Sequence, residues 1–321
     1  MIQLLIFIGN SDNCMKIKQR LARMIENPQH FNLITNFEEI TSRPNFVEKV
    51  TIARGEDVQN TISDLVGFYV LRDFVSCGIS SCGKKHQKGY IAALHDGNEI
   101  IIGHKCGKKH FGVSFDEKAK QFKHLRDNAN QYLQIKAMYE KLPQLKESLE
   151  RILNQSGKMT FLQIKMAVKS FKEDAFDYWM RRRIGQEVTS NGSIFIDDFK
   201  TEEEINAEIL SGRKNISDIK RVLVANIAEY DVIANWHNAE KLKDYFDRLY
   251  REIKNPNQMD GVAIKALAKK LRQHDQNLRE LEDFIKRANR LFTPENLVQF
   301  AVLFTKPHEQ KIIEKYANNF A

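Results

Sequence analysis

The chain has 321 residues, with 50 Lys and Arg against 42 Asp and Glu and a formal net charge of +8. Hydrophobic residues make up 42% and aromatic residues 10%, and there are only 15 glycines and 6 prolines. This excludes a disordered or collagen-like chain, favours two or three folded domains rich in long helices, and suits an anionic partner.

The opening MIQLLIFIG is apolar, but it is too short to span a bilayer and lacks a basic flank. The expectation is a first strand, no membrane partner and a cytoplasmic protein. Met15, ahead of KIKQRLARMI, is a second candidate start, which leaves open whether residues 1–14 belong to the native chain. A helix over 15–26 follows, then extended segments over 45–53 and 67–75. Between Tyr90 and Gly103, YIAAL and EIIIG flank HDGN, where Asp96-Gly97 suits a tight hairpin. A helix should start near Lys105.

From Phe115 the apolar spacing turns helical. Phe115, Ala119, Phe122, Leu125, Ala129 and Tyr132 form one stripe, and Leu142, Leu145, Leu149 and Ile152 resume it past a break at Pro143. Helices over 160–171 and 173–183 then precede a second hairpin at Asn191-Gly192. Thr201 with Glu202, Glu203 and Glu204 is an N-cap and acidic first turn. Ile216, Ile219, Leu223, Tyr230 and Ile233 form a further stripe with Asn226 in its gap. Ile264, Leu267, Leu271, Leu278, Leu281, Ile285 and Ala288 form another around His274. These steps suggest an antiparallel helical hairpin, 201–254 against 260–291, with polar residues setting register. Trp179 and Trp236 are expected in the core.

The fold expected is mainly α, with a small α+β N-terminal zinc module and a long antiparallel helical hairpin in the C-terminal half. Its divisions are an α+β domain over 1–114 and a connecting helix over 115–155. A helix–helix–hairpin unit over 156–200 and a helical bundle over 201–321 complete it.

The word CGKKH occurs twice, at 82–86 and 106–110. Four cysteines without a secretory leader indicate a reducing compartment, where clustered thiols take metal rather than pair. Three of the four, Cys77, Cys82 and Cys106, lie among glycine, serine, lysine and histidine, poor company for buried hydrophobes. Thiolates with an imidazole make a closed tetrahedral zinc site, and a helix N-terminus favours ionisation of Cys106. Three histidines compete for the fourth position. His110, on the Cys106 face of the helix at i,i+4, stands ahead of His104 and His86. Cys14 stands alone.

A cysteine pair, a hairpin, and a helix start carrying a further cysteine resemble the treble-clef zinc fingers over residues 75–112. That resemblance implies a knuckle pair at Cys77 and Cys82 and a helix ligand at Cys106. One structural zinc per chain is expected.

Four protein ligands leave no open coordination position, and deaminase, metalloprotease, nucleophile-elbow and phosphate-loop motifs are absent. A ββα-metal nuclease would use residue types such as His95, Asn98, His104 and His110, but Asn98 falls inside the hairpin turn. Charge favours binding over catalysis. Cys77 to Arg126 holds ten Lys/Arg against four Asp/Glu, a net +6. Lys84, Lys85, Lys88, Lys105, Lys108 and Lys109 surround the cysteines, with Tyr90 and Phe111 among them. Lysines at a helix N-terminus oppose its dipole unless an anion arrives. Arg181, Arg182 and Arg183 form a second basic cluster, in an order loosely like a winged helix-turn-helix.

The expected function is therefore a non-enzymatic, zinc-stabilised nucleic-acid-binding protein contacting phosphates, with DNA ahead of RNA. The competing expectation is a protein–protein adaptor, or a homodimer through the long helices, whose zinc only closes the fold.

Overall fold

The computed structural model describes residues 33–51 and 62–321, with Ala22, Ile25 and Glu26. The expected opening strand, most of the expected helix over 15–26, and Cys14 lie outside the described residues. The fold is mixed α/β and mostly helical, with a four-stranded N-terminal sheet and a small two-stranded sheet. It divides into two units. One runs to Glu140 and includes Ile253–Lys269, and the other holds Lys141–Glu252 and Lys270–Ala321.

The first unit contains β1 (Leu33–Ile34), α1 (Phe37–Thr41), β2 (Ile62–Ser76), β3 (Lys85–Leu94), β4 (Glu99–Gly103) and α2 (His104–Glu140). The sheet order is β1-β2-β3-β4, with β1 parallel to β2 and the other pairs antiparallel. The β3–β4 hairpin forms at the Asp96-Gly97 turn, where Asp96 accepts the Asn98 backbone N–H at 3.0 Å. Over 45–51 the expected extended segment makes two isolated bridges, Phe46 to Glu99 and Val50 to Ile79.

EIIIG shows no alternation because both faces of β4 are covered. Ile100 and Ile102 pack with Phe111, Phe115 and Phe122 of α2, while Ile101 joins Ile34, Ile40, Tyr69 and Ile91. Burying each such side chain contributes about 1.5–3 kcal/mol. The predicted stripe from Phe115 to Tyr132 is buried throughout. The helix kinks at Gly112, whose φ is 61°. Tyr132 ties Asn257 into this unit through a 2.6 Å hydrogen bond.

The second unit begins with α3 (Leu142–Leu153), whose start at Pro143 matches the expected break. It continues through α4 (Phe161–Glu173), α5 (Tyr178–Glu187), β5 (Ser193–Phe199), α6 (Glu202–Leu210), β6 (Ile219–Asn226) and α7 (Asp231–Glu252). The chain crosses between units within α8 (Gly261–Leu271), then forms α9 (His274–Leu291), α10 (Pro294–Leu297) and α11 (Pro307–Asn318). Capping boxes start α4 at Thr160 and α6 at Thr201.

Tyr250, late in α7, meets His274 at the start of α9, while Arg287, late in α9, meets Glu229 and Asp231 at the start of α7. The two helices therefore run antiparallel. Val232, Trp236 and Phe246 of the first helix and Leu281, Ile285 and Ala288 of the second are buried.

Several expectations are corrected. The stripe over 216–233 is not a helix: residues 219–226 form β6, paired with β5, and Asn226 is exposed. Val222 and Val224 in IKRVLVAN step by two and favour a strand, while Ile219 and Leu223 also fit a helical spacing. The stripe over 264–288 is two helices, broken at Arg272-Gln273. Asn191-Gly192 makes a tight turn with a single bridge, Val188 to Ile194, and the strand partner is β6. Trp179 is 69% exposed, whereas Trp236 is buried. Among the described residues no helix is long and apolar enough to cross a membrane.

Candidate metal centre

The loop after β2 is a tight turn. The Cys77 N–H donates to the Lys84 carbonyl and the Cys82 N–H to the Ile79 carbonyl, both at 2.9 Å. The Gly78 N–H donates to the Ile101 carbonyl at 2.8 Å, which fastens the turn to β4, the strand that leads into α2. Cys106, in the first turn of α2, therefore comes to the two loop cysteines. The three sulfur atoms lie within 4.8 Å of one another. Cys77 and Cys106 are buried and Cys82 is half-buried.

Burial pushes the Cys77 thiol up to about 12, with Cys106 and Cys82 adding to the effect. Burial and then Cys82 also raise Cys106. At Cys82 burial acts upward too, but the Lys84 backbone N–H and the neighbouring thiols outweigh it, and its pKa falls below the ordinary thiol value. Three thiolates at this spacing need a cation to coexist. Thiolate donors in closed, apolar surroundings suit zinc.

Among the described residues this cluster holds three cysteines, and no histidine nitrogen joins all three within 4.8 Å. His104 Nε2 lies 3.6 Å from Asp116 Oδ1, with a largely exposed side chain. His110 sits one helical turn beyond Cys106, with Nε2 buried and without a hydrogen-bond partner. His86 Nε2 is also buried and unpartnered, while its Nδ1 lies 2.9 Å from the Tyr69 hydroxyl. Close approaches permit that arrangement. A Cβ on Gly89 would fall 2.5 Å from the Tyr69 oxygen, and one on Gly103 would fall 2.6 Å from the His86 ring. Burial, and then the charges of Cys77 and Cys106, raise the Tyr69 phenol above its ordinary value.

Beside the cluster lies a groove of about 680 Å³ whose wall includes Cys106, His86, His104 and Lys84, Lys85, Lys88 and Lys105. Among the described residues no carboxylate lines it. Phe68, Phe74 and Tyr90 supply its aromatic surface. Lys88 Nζ sits 5.6 Å from the Phe68 ring centre and the Arg126 guanidinium 4.9 Å from it. Lys108 is drawn instead to Asp116 at 3.0 Å, and Lys109 is exposed outside the groove.

The second basic cluster divides. Arg181 donates to the carbonyls of Glu173 and Phe176, closing the turn between α4 and α5. Arg182 lies over the exposed Trp179 ring at 5.9 Å, and Arg183 is exposed. Without a β5 hairpin as wing, the winged-helix order fails. His95, Asn98, His104 and His110 do not join the three cysteines within 4.8 Å, and the Asn98 amide donates to Asp96 at 2.8 Å.

Tyr69, Phe68 and Phe74 were missed from sequence. Their only signal was the aromatic run in GFYVLRDF, which does not disclose that Tyr69 pairs with Gly89 across the sheet. Neither a family model, nor a curated protein, nor a solved structure matches this chain.

Proposed function

We propose that the first unit is a zinc-stabilised nucleic-acid-binding module, with DNA ahead of RNA as its partner. The supporting observation is the groove beside Cys106, which among the described residues gathers four lysines and no carboxylate. Such a surface attracts a phosphate backbone and releases its counterions. One zinc per chain, on Cys77, Cys82 and Cys106, would hold the groove's two sides together. The order of turn, hairpin and helix start supports the treble-clef reading of residues 75–112.

The fourth ligand in this proposal is His86 rather than His110, and its Nε2 must shift toward the sulfurs on binding, because no histidine nitrogen lies within 4.8 Å of all three. If Tyr69 accepts the Nδ1 proton, the buried Nε2 presents its lone pair, the arrangement by which metal-bound histidines are usually oriented. His110 has the helical spacing but no such partner for its other nitrogen among the described residues.

A second reading, the protein–protein adaptor, is favoured by apolar exposure in the other unit. Phe199 is 78%, Leu210 88% and Trp179 69% exposed.

Metal analysis and salt-titrated binding of the purified full chain separate these readings. Zinc at one equivalent, lost on Cys106→Ser and reduced on His86→Ala but not His110→Ala, supports the site. Duplex or single-stranded DNA affinity that falls steeply with salt supports the function. A zinc-loaded chain with no salt-dependent nucleic-acid affinity gives the adaptor first place.

A further inference from the structure

We infer that the groove takes a single-stranded nucleic-acid segment, with Phe74 stacking a base while the lysines hold phosphates. This rests on the nucleic-acid reading above and names its substrate class.

The observation comes from the pairing of β2 with β3. Val70 pairs with Lys88 and Val75 with His86, so five steps along β2 oppose two along β3. The surplus residues must leave the ladder, and a bulge of this kind re-aims the side chains it carries. The Gln87 side-chain amide donates to the Arg72 carbonyl at 2.6 Å, pinning the bulge to β3. Phe74 is thereby turned out on the groove wall, 65% exposed, next to Lys84, Lys85 and Lys88.

An exposed phenylalanine costs solubility and contributes little to a core. Among the described residues Phe74 makes no ring contact, whereas the half-buried Phe68 ring already has Lys88 and Arg126 beside it. An exposed aromatic face beside lysines that make no ion pair among the described residues is the arrangement that binds unstacked bases. Phe74 also borders a second groove that holds Glu48 and Asp73. A duplex hides its base faces and offers Phe74 nothing to stack on. Sequence preference should be slight, because every base has a π-face.

The test uses the zinc-loaded full chain with fluorescein-labelled oligo-dT and a dA·dT duplex of equal length, by anisotropy across a salt series. Oligo-dT should bind more tightly than the duplex. Phe74→Ala should weaken oligo-dT binding by about 5- to 150-fold without changing the salt slope. Phe74→Trp should keep the affinity, with its added emission quenched by oligo-dT. Replacing Lys84, Lys85 and Lys88 together by Gln should flatten the slope by up to about 2, at roughly 0.7 per phosphate. Equal or better duplex binding, or oligo-dT binding indifferent to Phe74→Ala, overturns this inference while leaving the phosphate surface standing. No salt-dependent binding of either probe overturns the nucleic-acid reading itself.

Discussion

The Tyr69 hydroxyl lies 2.9 Å from His86 Nδ1, reaching past Gly89, the residue opposite Tyr69 on β3. One tyrosine thus orients a histidine whose other nitrogen is buried and unpartnered. Tyr69→Phe should leave zinc stoichiometry near one but weaken affinity about 10- to 100-fold, as loss of a ligand-orienting hydrogen bond does. Competition with a chromophoric chelator measures this. Unchanged affinity would remove His86 from the site as drawn.

Zinc should stabilise the first unit and be lost in acid. Burial and mutual proximity hold Cys77 and Cys106 above the ordinary thiol value, so protons compete strongly for those sulfurs. Zinc binding must displace the protons, and apparent affinity therefore falls as pH falls. Chelator competition between about pH 8 and pH 6 should show a steep decline. Metal removal at neutral pH should lower the melting temperature, and Cys106→Ser should reproduce that loss.

The lysines at the start of α2 should not contribute alike. Lys105 lines the groove, while Lys108 is held by Asp116. Lys105→Gln should flatten the salt dependence of duplex binding by roughly 0.9, and Lys108→Gln by less. Equal effects would show that the Asp116 pair opens when nucleic acid arrives.

In the second unit, Glu229 has a φ of 61°, the one non-glycine residue with positive φ among those described. Arg287 and Arg290 hold its carboxylate at 2.5 Å. Burial acts against ionisation, but the two guanidinium groups outweigh it and keep the carboxyl below its ordinary pKa. A depressed carboxyl pKa stabilises the fold above the unfolded value, near 4.3, and that stability is lost as pH falls through the folded value. Glu229→Gln should cost about 1–2 kcal/mol at neutral pH and little in acid, as urea melts at the two pH values would read.

Leu271 is 5% exposed at the end of α8. Leu271→Asp should cost about 3 kcal/mol or more by burying an unpaired charge. A variant that melts like the parent would show that this end of the helix is free of the core.

Composition and spacing by themselves determined a helix-rich fold, the β3–β4 hairpin, the buried stripe of α2, the break at Pro143 and the three cysteines that meet. Each is local: a turn dipeptide, a period of 3.6, or soft ligands gathered at short spacing, though Cys77 and Cys106 also pack within the apolar core. His274 was also legible as a polar core residue, and its ring nitrogens meet Tyr250 and Asp275. Tertiary structure decided the rest. IKRVLVAN becomes a strand because β5 supplies a hydrogen-bonding partner, and no local period discloses a partner twenty residues away. Trp179 faces outward because packing of α4, α5 and the C-terminal helices fills the core with Phe171, Phe176, Phe300 and Tyr316 instead. The Tyr69–His86 contact and the outward turn of Phe74 both follow from strand register. Register is set by long-range pairing and a bulge, so it is written in no short stretch of the chain.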